Sequence, residues 1–100
     1  NKMYMNKPNI IKLMSVTLNL SKDVTSDQET FICSLKSDEA VKFHITFDDL
    51  NKRFFLIYDD IDDDYSEESN TYNKVTEKWL KQTVDRIVNI QIKVKQLFGE

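Results

Sequence analysis

Between Val41 and Asp48 the chain alternates with a period of two, and nothing else in it narrows the fold so far. Val41, Phe43, Ile45 and Phe47 fall on one side of an extended segment, and Lys42, His44, Thr46 and Asp48 fall on the other. That is the pattern of a strand with one face in a core and one in water. The stretch before it repeats the pattern, with Phe31, Cys33 and Leu35 set against Thr30, Ile32, Ser34 and Lys36, and Ser37, Asp38 and Glu39 supply the turn between the two. After Asp49, Leu50, Asn51 and Lys52 a third strand departs from the pattern: Phe54, Leu56 and Tyr58 share one face, but Phe55 and Ile57 make the other apolar too. Such a strand is either central and covered on both sides by flanking helices, which is the simpler expectation, or its second face meets a partner.

The flanks read as helical. Pro8 stands where a first-turn residue would, Asn6 is a candidate cap, and Ile10, Leu13, Met14, Thr17 and Leu18 recur at three and four. Ser21 to Gln28, polar around a lone Val24, has neither period and predicts a loop. In the last third, Trp79, Leu80, Val84, Ile87, Val94, Leu97 and Phe98 fit a helix with Gly99 just past its end. Residues 84–95 also admit a strand, because Val88, Ile90, Ile92 and Val94 alternate with Asn89, Gln91 and Lys93. The longer run of helical spacing favours the helix. The fold predicted is therefore α+β, with a short N-terminal helix, a three-stranded antiparallel meander, an acidic loop and a long C-terminal helix.

One hundred residues enclose one core, so residues 1–100 are read as a single domain. An opening of Asn1 and Lys2 in place of Met suggests the C-terminal part of a longer chain. With one glycine, no glycine-cradled nucleotide site is expected. Cys33, the one cysteine, lies in an apolar strand and reads as a small core residue. No apolar run approaches ~18 residues and no leader precedes the first helix, which predicts neither a membrane span nor a signal peptide and points to the cytosol or nucleus.

Seven acids crowd into ten residues after the third strand: Asp59, Asp60, Asp62, Asp63, Asp64, Glu67 and Glu68. The ten acids elsewhere face fourteen bases, so the net charge of −3 is made locally. Asp60, Asp62 and Asp64 have the spacing of a calcium loop, but its turn position is Tyr65 and its closing position Thr71, neither of which serves. The run can instead imitate nucleic-acid phosphates, or simply be a solvated connection, which is the expectation here. His44, the only histidine, lies on a polar strand face without a second imidazole, and no Ser or Thr is marked as a nucleophile. No catalytic, metal or cofactor site is expected. Lys74, Lys78, Lys81, Arg86, Lys93 and Lys95 read as the wet face of a helix rather than a nucleic-acid surface.

Three stretches carry a likeness. "VKFHITFDDLNKRFFLIY", joined through Thr46 and Asp49, is similar to the phenylalanine-rich strand pair of the head subunit at the inner end of the outer-kinetochore Ndc complex. "LKQTVDRIVNIQIKVKQLF", with Thr83 and Asp85 before its apolar stripe and Phe98 at its end, is similar to the closing helix of such a head. The opening "NIIKLMSVTLNL" resembles the first helix of the globular domain of monopolin's coiled-coil subunit. Taken together, the order of elements resembles the RWD-like heads of kinetochore proteins. The resemblance implies a nuclear role in chromosome segregation, at the end of a coiled coil, with a head that forms a homo- or heterodimer and receives a short helical peptide. Direct nucleic-acid or membrane contact is not expected. The two-faced third strand and the apolar surplus of the last helix make Phe55, Ile57, Trp79, Leu97 and Phe98 the candidate partner-binding residues. The alternative is a small acidic inhibitor of the phage or mobile-element type, acting through the Asp59 to Glu68 run.

Overall fold

A computed structural model describes residues 4–99. The elements run α1 (Lys7–Met14), β1 (Leu18–Lys22), β2 (Glu29–Leu35), β3 (Lys42–Asp48), β4 (Arg53–Tyr58), β5 (Ser66–Thr71) and α2 (Glu77–Phe98). All strands are antiparallel neighbours in chain order, so the sheet is a plain meander, β1-β2-β3-β4-β5. The class is α+β as expected, with the meander two strands wider. The three alternating segments become β2, β3 and β4, and residues 84–95 lie wholly within the helix α2.

The two added strands sit at the edges. Thr17 and Leu18 do not extend α1. The helix closes with Ser15 donating from its hydroxyl to the Ile11 carbonyl (2.7 Å), and Leu18 opens β1 opposite Leu35. Leu18 is buried, but as a strand residue that happens to lie four positions after the buried Met14. Ser21 and Lys22, expected in a loop, complete β1. The segment SEESNT, expected as part of the acidic loop, is β5 and carries no apolar residue. Its pairing with β4 rests on the backbone ladder, to which Arg53 adds a bond to the Ser69 hydroxyl (2.9 Å) and Arg86 adds an ion pair with Glu68.

Register explains the layering. Leu20, Cys33 and Phe43 line up across β1, β2 and β3, while Phe31, Ile45 and Leu56 line up across β2, β3 and β4. These residues share one face, and both helices pack on it: Ile10 and Met14 from α1, with Leu80, Val84 and Ile87 from α2, bury against Phe43, Ile45, Phe54 and Leu56. Phe54 is the centre of an aromatic cluster, edge-on to Trp79 (6.1 Å between centroids), stacked with Tyr72 (6.4 Å) and tilted against Phe47 (6.3 Å). Helix entry follows the local sequence: Asn6 caps α1 by accepting from the Asn9 amide (3.0 Å), and Thr76 caps α2 by accepting from the Trp79 amide (3.1 Å). At the other end of α2, a Cβ on Gly99 would stand 2.6 Å from the Lys95 carbonyl oxygen, so the one glycine sits where the chain closes on its own helix.

Burial pushes the Cys33 thiol up to about 12. In the unfolded chain the thiol would ionise near 9, so its contribution to stability is complete below that value and fades as pH rises toward 12. Native protein at pH ~8 is therefore expected to resist a disulfide reagent such as Ellman's and to react at once in urea. Phe54→Ala is expected to cost about 3–5 kcal/mol, read as a shift of the urea midpoint.

Candidate interaction surfaces

The five candidate residues do not share a surface. Phe55 and Ile57 alternate with the core residues of β4 and lie on the sheet face opposite the helices, so the expectation that helices cover both faces of this strand does not hold. Two helices serve a five-stranded sheet, and the core draws both to the face with the larger side chains. On the open face, Ile32, His44 and Ile57 form one cross-strand row, while Thr30, Thr46 and Phe55 form the next. The two threonine hydroxyls bond each other at 2.8 Å, and the Arg53 guanidinium lies 4.8 Å over the Phe55 ring. Phe55 and Ile57 are half-buried by these neighbours rather than free.

Trp79 belongs to the core. It lies on the helix side against Phe54 and is half-buried there. Leu97 and Phe98, 61% and 70% exposed, stand about 28 Å further along α2, taking ~1.5 Å per residue. Both are solvent-facing.

A further apolar surface lies between the helices. α1 is eight residues long and α2 twenty-two, and where they run side by side a groove of about 180 Å³ opens, floored by Leu13, Met14, Leu80 and Val84 and rimmed by Lys81 and Asp85. Leu13 and Val16 also border a second hollow, which runs past Tyr4 and Met5 at the start of α1. Sequence periodicity marked Leu13 and Val84 as helical core positions. That they face each other across a gap follows only from how the helices pack.

The acidic run is divided by the fold. Asp60 accepts from the Ser66 hydroxyl and from the Ile61 amide, both at 2.7 Å, and these bonds hold its carboxyl below the usual range. The Asp59 carbonyl accepts from the buried Gln91 side chain (2.7 Å), which fixes the start of the connection on α2. Asp62, Asp63 and Asp64 are exposed. Glu67 and Glu68 are strand residues on opposite faces, and Glu68 pairs with Arg86. No group of three or more His, Cys, Asp or Glu among the described residues is arranged to hold a metal ion. Cys33 is on the helix face and His44 on the open one, so thiol and imidazole cannot act as a nucleophile and its base. Of the basic residues on α2, Lys81 pairs with Glu77 (3.2 Å), Arg86 with Glu68 and Lys95 with Asp38.

A polar junction closes the fold at the opposite end from the acidic connection. The Lys7 ammonium lies 2.5 Å from Glu29, 2.8 Å from Asp49 and 5.4 Å from the centre of the Phe47 ring, and the Tyr72 hydroxyl donates to Asp49 (2.9 Å). The bond from Lys7, then that from Tyr72, hold Asp49 below the usual carboxylate range. Lys95 does the same for Asp38.

With folded values below the unfolded 3.8, the contributions of Asp38, Asp49 and Asp60 are complete above that pH and are lost as pH falls through the lower folded values. Urea midpoints are expected to hold from about pH 7 to 4 and to fall by about pH 2.5, with Asp49→Asn flattening that fall. Phe98→Ser is expected to shift stability by no more than ~0.5 kcal/mol, whereas Trp79→Ala costs roughly 2 kcal/mol or more in the same measurement.

No described helix is long and apolar enough to cross a membrane. Compared with models of protein families, with curated proteins and with solved structures, the chain matches none.

Proposed function

We propose that this domain is a non-enzymatic protein-interaction module, an RWD-like head of the kinetochore kind that receives a short helical peptide in the groove between α1 and α2. The groove carries the reading: it is apolar at its floor, charged with both signs at its rim, and large enough for one bulky side chain. The expected ligand is an amphipathic helix that sets one Leu-sized or Phe-sized residue between Leu13 and Val84, with polar residues beside Lys81 and Asp85. The heads of this kind are nuclear, and the nucleus is the compartment that goes with the reading.

A second reading keeps the acidic run as the working surface, favoured by the exposure of Asp62, Asp63 and Asp64 side by side in one connection. There the partner is a basic cleft of a nucleic-acid enzyme, and binding falls steeply with salt.

Selection from a library of random ~16-residue peptides separates the two. The first reading expects amphipathic winners with apolar residues at i, i+4 and i+7, binding that tolerates ~0.5 M salt, a loss of about tenfold or more with Leu13→Arg, and little change with Asp62, Asp63 and Asp64 all replaced by Asn. Lysine-rich winners that fail with the triple replacement would establish the second.

A further inference from the structure

The sheet has two free edges, and they are unlike. β5 carries Glu67 and Glu68 in sequence, one on each face, so laying two such edges together would bring four carboxylates to one seam. β1 has no acid, proline or bulge, and its single charge, Lys22, is at its end. Asn19, Ser21 and Lys22 are exposed and Leu20 is half-buried, so nothing among the described residues covers this edge.

Its free hydrogen-bonding groups can be assigned. The Asp23 amide donates to the Thr30 carbonyl at 2.8 Å, which makes Asp23 and Thr30 a bonded pair. Bonded and non-bonded pairs alternate along an antiparallel ladder, so Asn19 and Ser21 also turn their backbone groups to β2. Leu18, Leu20 and Lys22 therefore turn theirs outward.

We infer that β1 is the seam of a two-fold dimer, in which the same strand of a second copy pairs antiparallel with it, Leu20 opposite Leu20. The inference rests on reading the domain as an interaction module and names one partner, a second copy of this chain. Leu18 then faces Lys22 of the other copy, and each outward-turned residue meets another, for about six backbone hydrogen bonds across the seam. The result is one sheet of twice five strands with every helix on the same face. Leu20 and Ile11 of α1, both half-buried at the margin of the core, gain apolar cover from their symmetry mates.

Charge agrees with this register. Asp23, just past one end of β1, falls opposite Thr17 of the other copy, beside Val16, whose carbonyl accepts from the Lys36 ammonium at 3.2 Å. Each copy's Asp23 thus comes within reach of the other's Lys36, twice over by symmetry. The like charges of the two Lys22 residues stay about 13 Å apart, four strand residues at ~3.3 Å each.

Sedimentation equilibrium and amide exchange by NMR test this together. The mass is expected to rise with concentration from 11.9 kDa toward twice that value. Over the same range the amides of Leu18, Leu20 and Lys22 should become protected by about tenfold or more, while those of Asn19, Ser21 and Asp23 are slow throughout. Leu20→Lys sets two ammonium groups face to face and is expected to leave a folded monomer with an unchanged circular dichroism spectrum. Asp23→Lys should weaken association by about tenfold, and adding Lys36→Asp should restore it to within about threefold. A constant 11.9 kDa up to millimolar protein overturns the inference. Doubling with the three outward amides unprotected also overturns it, since the contact would then be the open sheet face or the helix groove. Failure of the charge exchange to restore association removes the register. Peptide capture in the groove does not require self-association, so a monomer that still binds peptide would sink the seam alone.

Discussion

Phe54 joins every layer of this molecule. Its ring meets Trp79 from α2, Tyr72 from the connection after β5, and Phe47 from β3, and Phe47 in turn lies beneath the Lys7 ammonium of α1. Each aromatic ring hides a large apolar area, and the cluster is therefore the most effective place for a small chain to remove surface from water. It also fixes which face of the sheet the helices take. Once Trp79 is seated on Phe54, the stripe Leu80, Val84 and Ile87 must lie along the same face, and Gln91 reaches the Asp59 carbonyl at the far end of β4. Lys7, bonded to Glu29 and Asp49, brings α1 down on the same side.

The surfaces left for other molecules follow from that one-sided burial. A meander in chain order has no strand to return and cover its second face, so Ile32, Phe55 and Ile57 are sheltered only by neighbours such as Arg53 and the paired threonines. The helices differ in length, and a gap opens where α1 runs beside α2. The two edges differ in charge, one guarded by adjacent glutamates and the other nearly neutral. The exposed aspartates stand apart from all of these, at the end of the sheet opposite the Lys7 junction. The buried thiol and the half-buried imidazole lie on opposite sides of the sheet.

Alternation made β2, β3 and β4 legible, because each has one face in the core and a period of two is the imprint of such a face. The caps Asn6 and Thr76 obey local rules of the same kind. Two edge strands escaped for different reasons. β1 shares Leu18 with an apparent helical spacing, and five residues are too few to show a change of period. β5 has no apolar residue whose position could repeat. It exists because β4 offers a free row of backbone groups, and that is a property of the neighbour. The seven acids read as one feature because they are close in sequence, while the turn at Asp60 and the pairing of Glu68 with Arg86 divide them in space.

What the chain determined unaided is whatever depends on residues a few positions apart: the class, the three central strands, the closing helix and the core role of Cys33. Its candidate binding residues depended on something else, namely which of several apolar faces the single core would consume. That choice is made by competition among the faces for the area that two helices can cover. It sent Trp79 inward, left Phe55 and Ile57 on the open side, and opened a groove that periodicity does not describe. Only the assembled packing resolves such a competition, because each face is locally as good as the next.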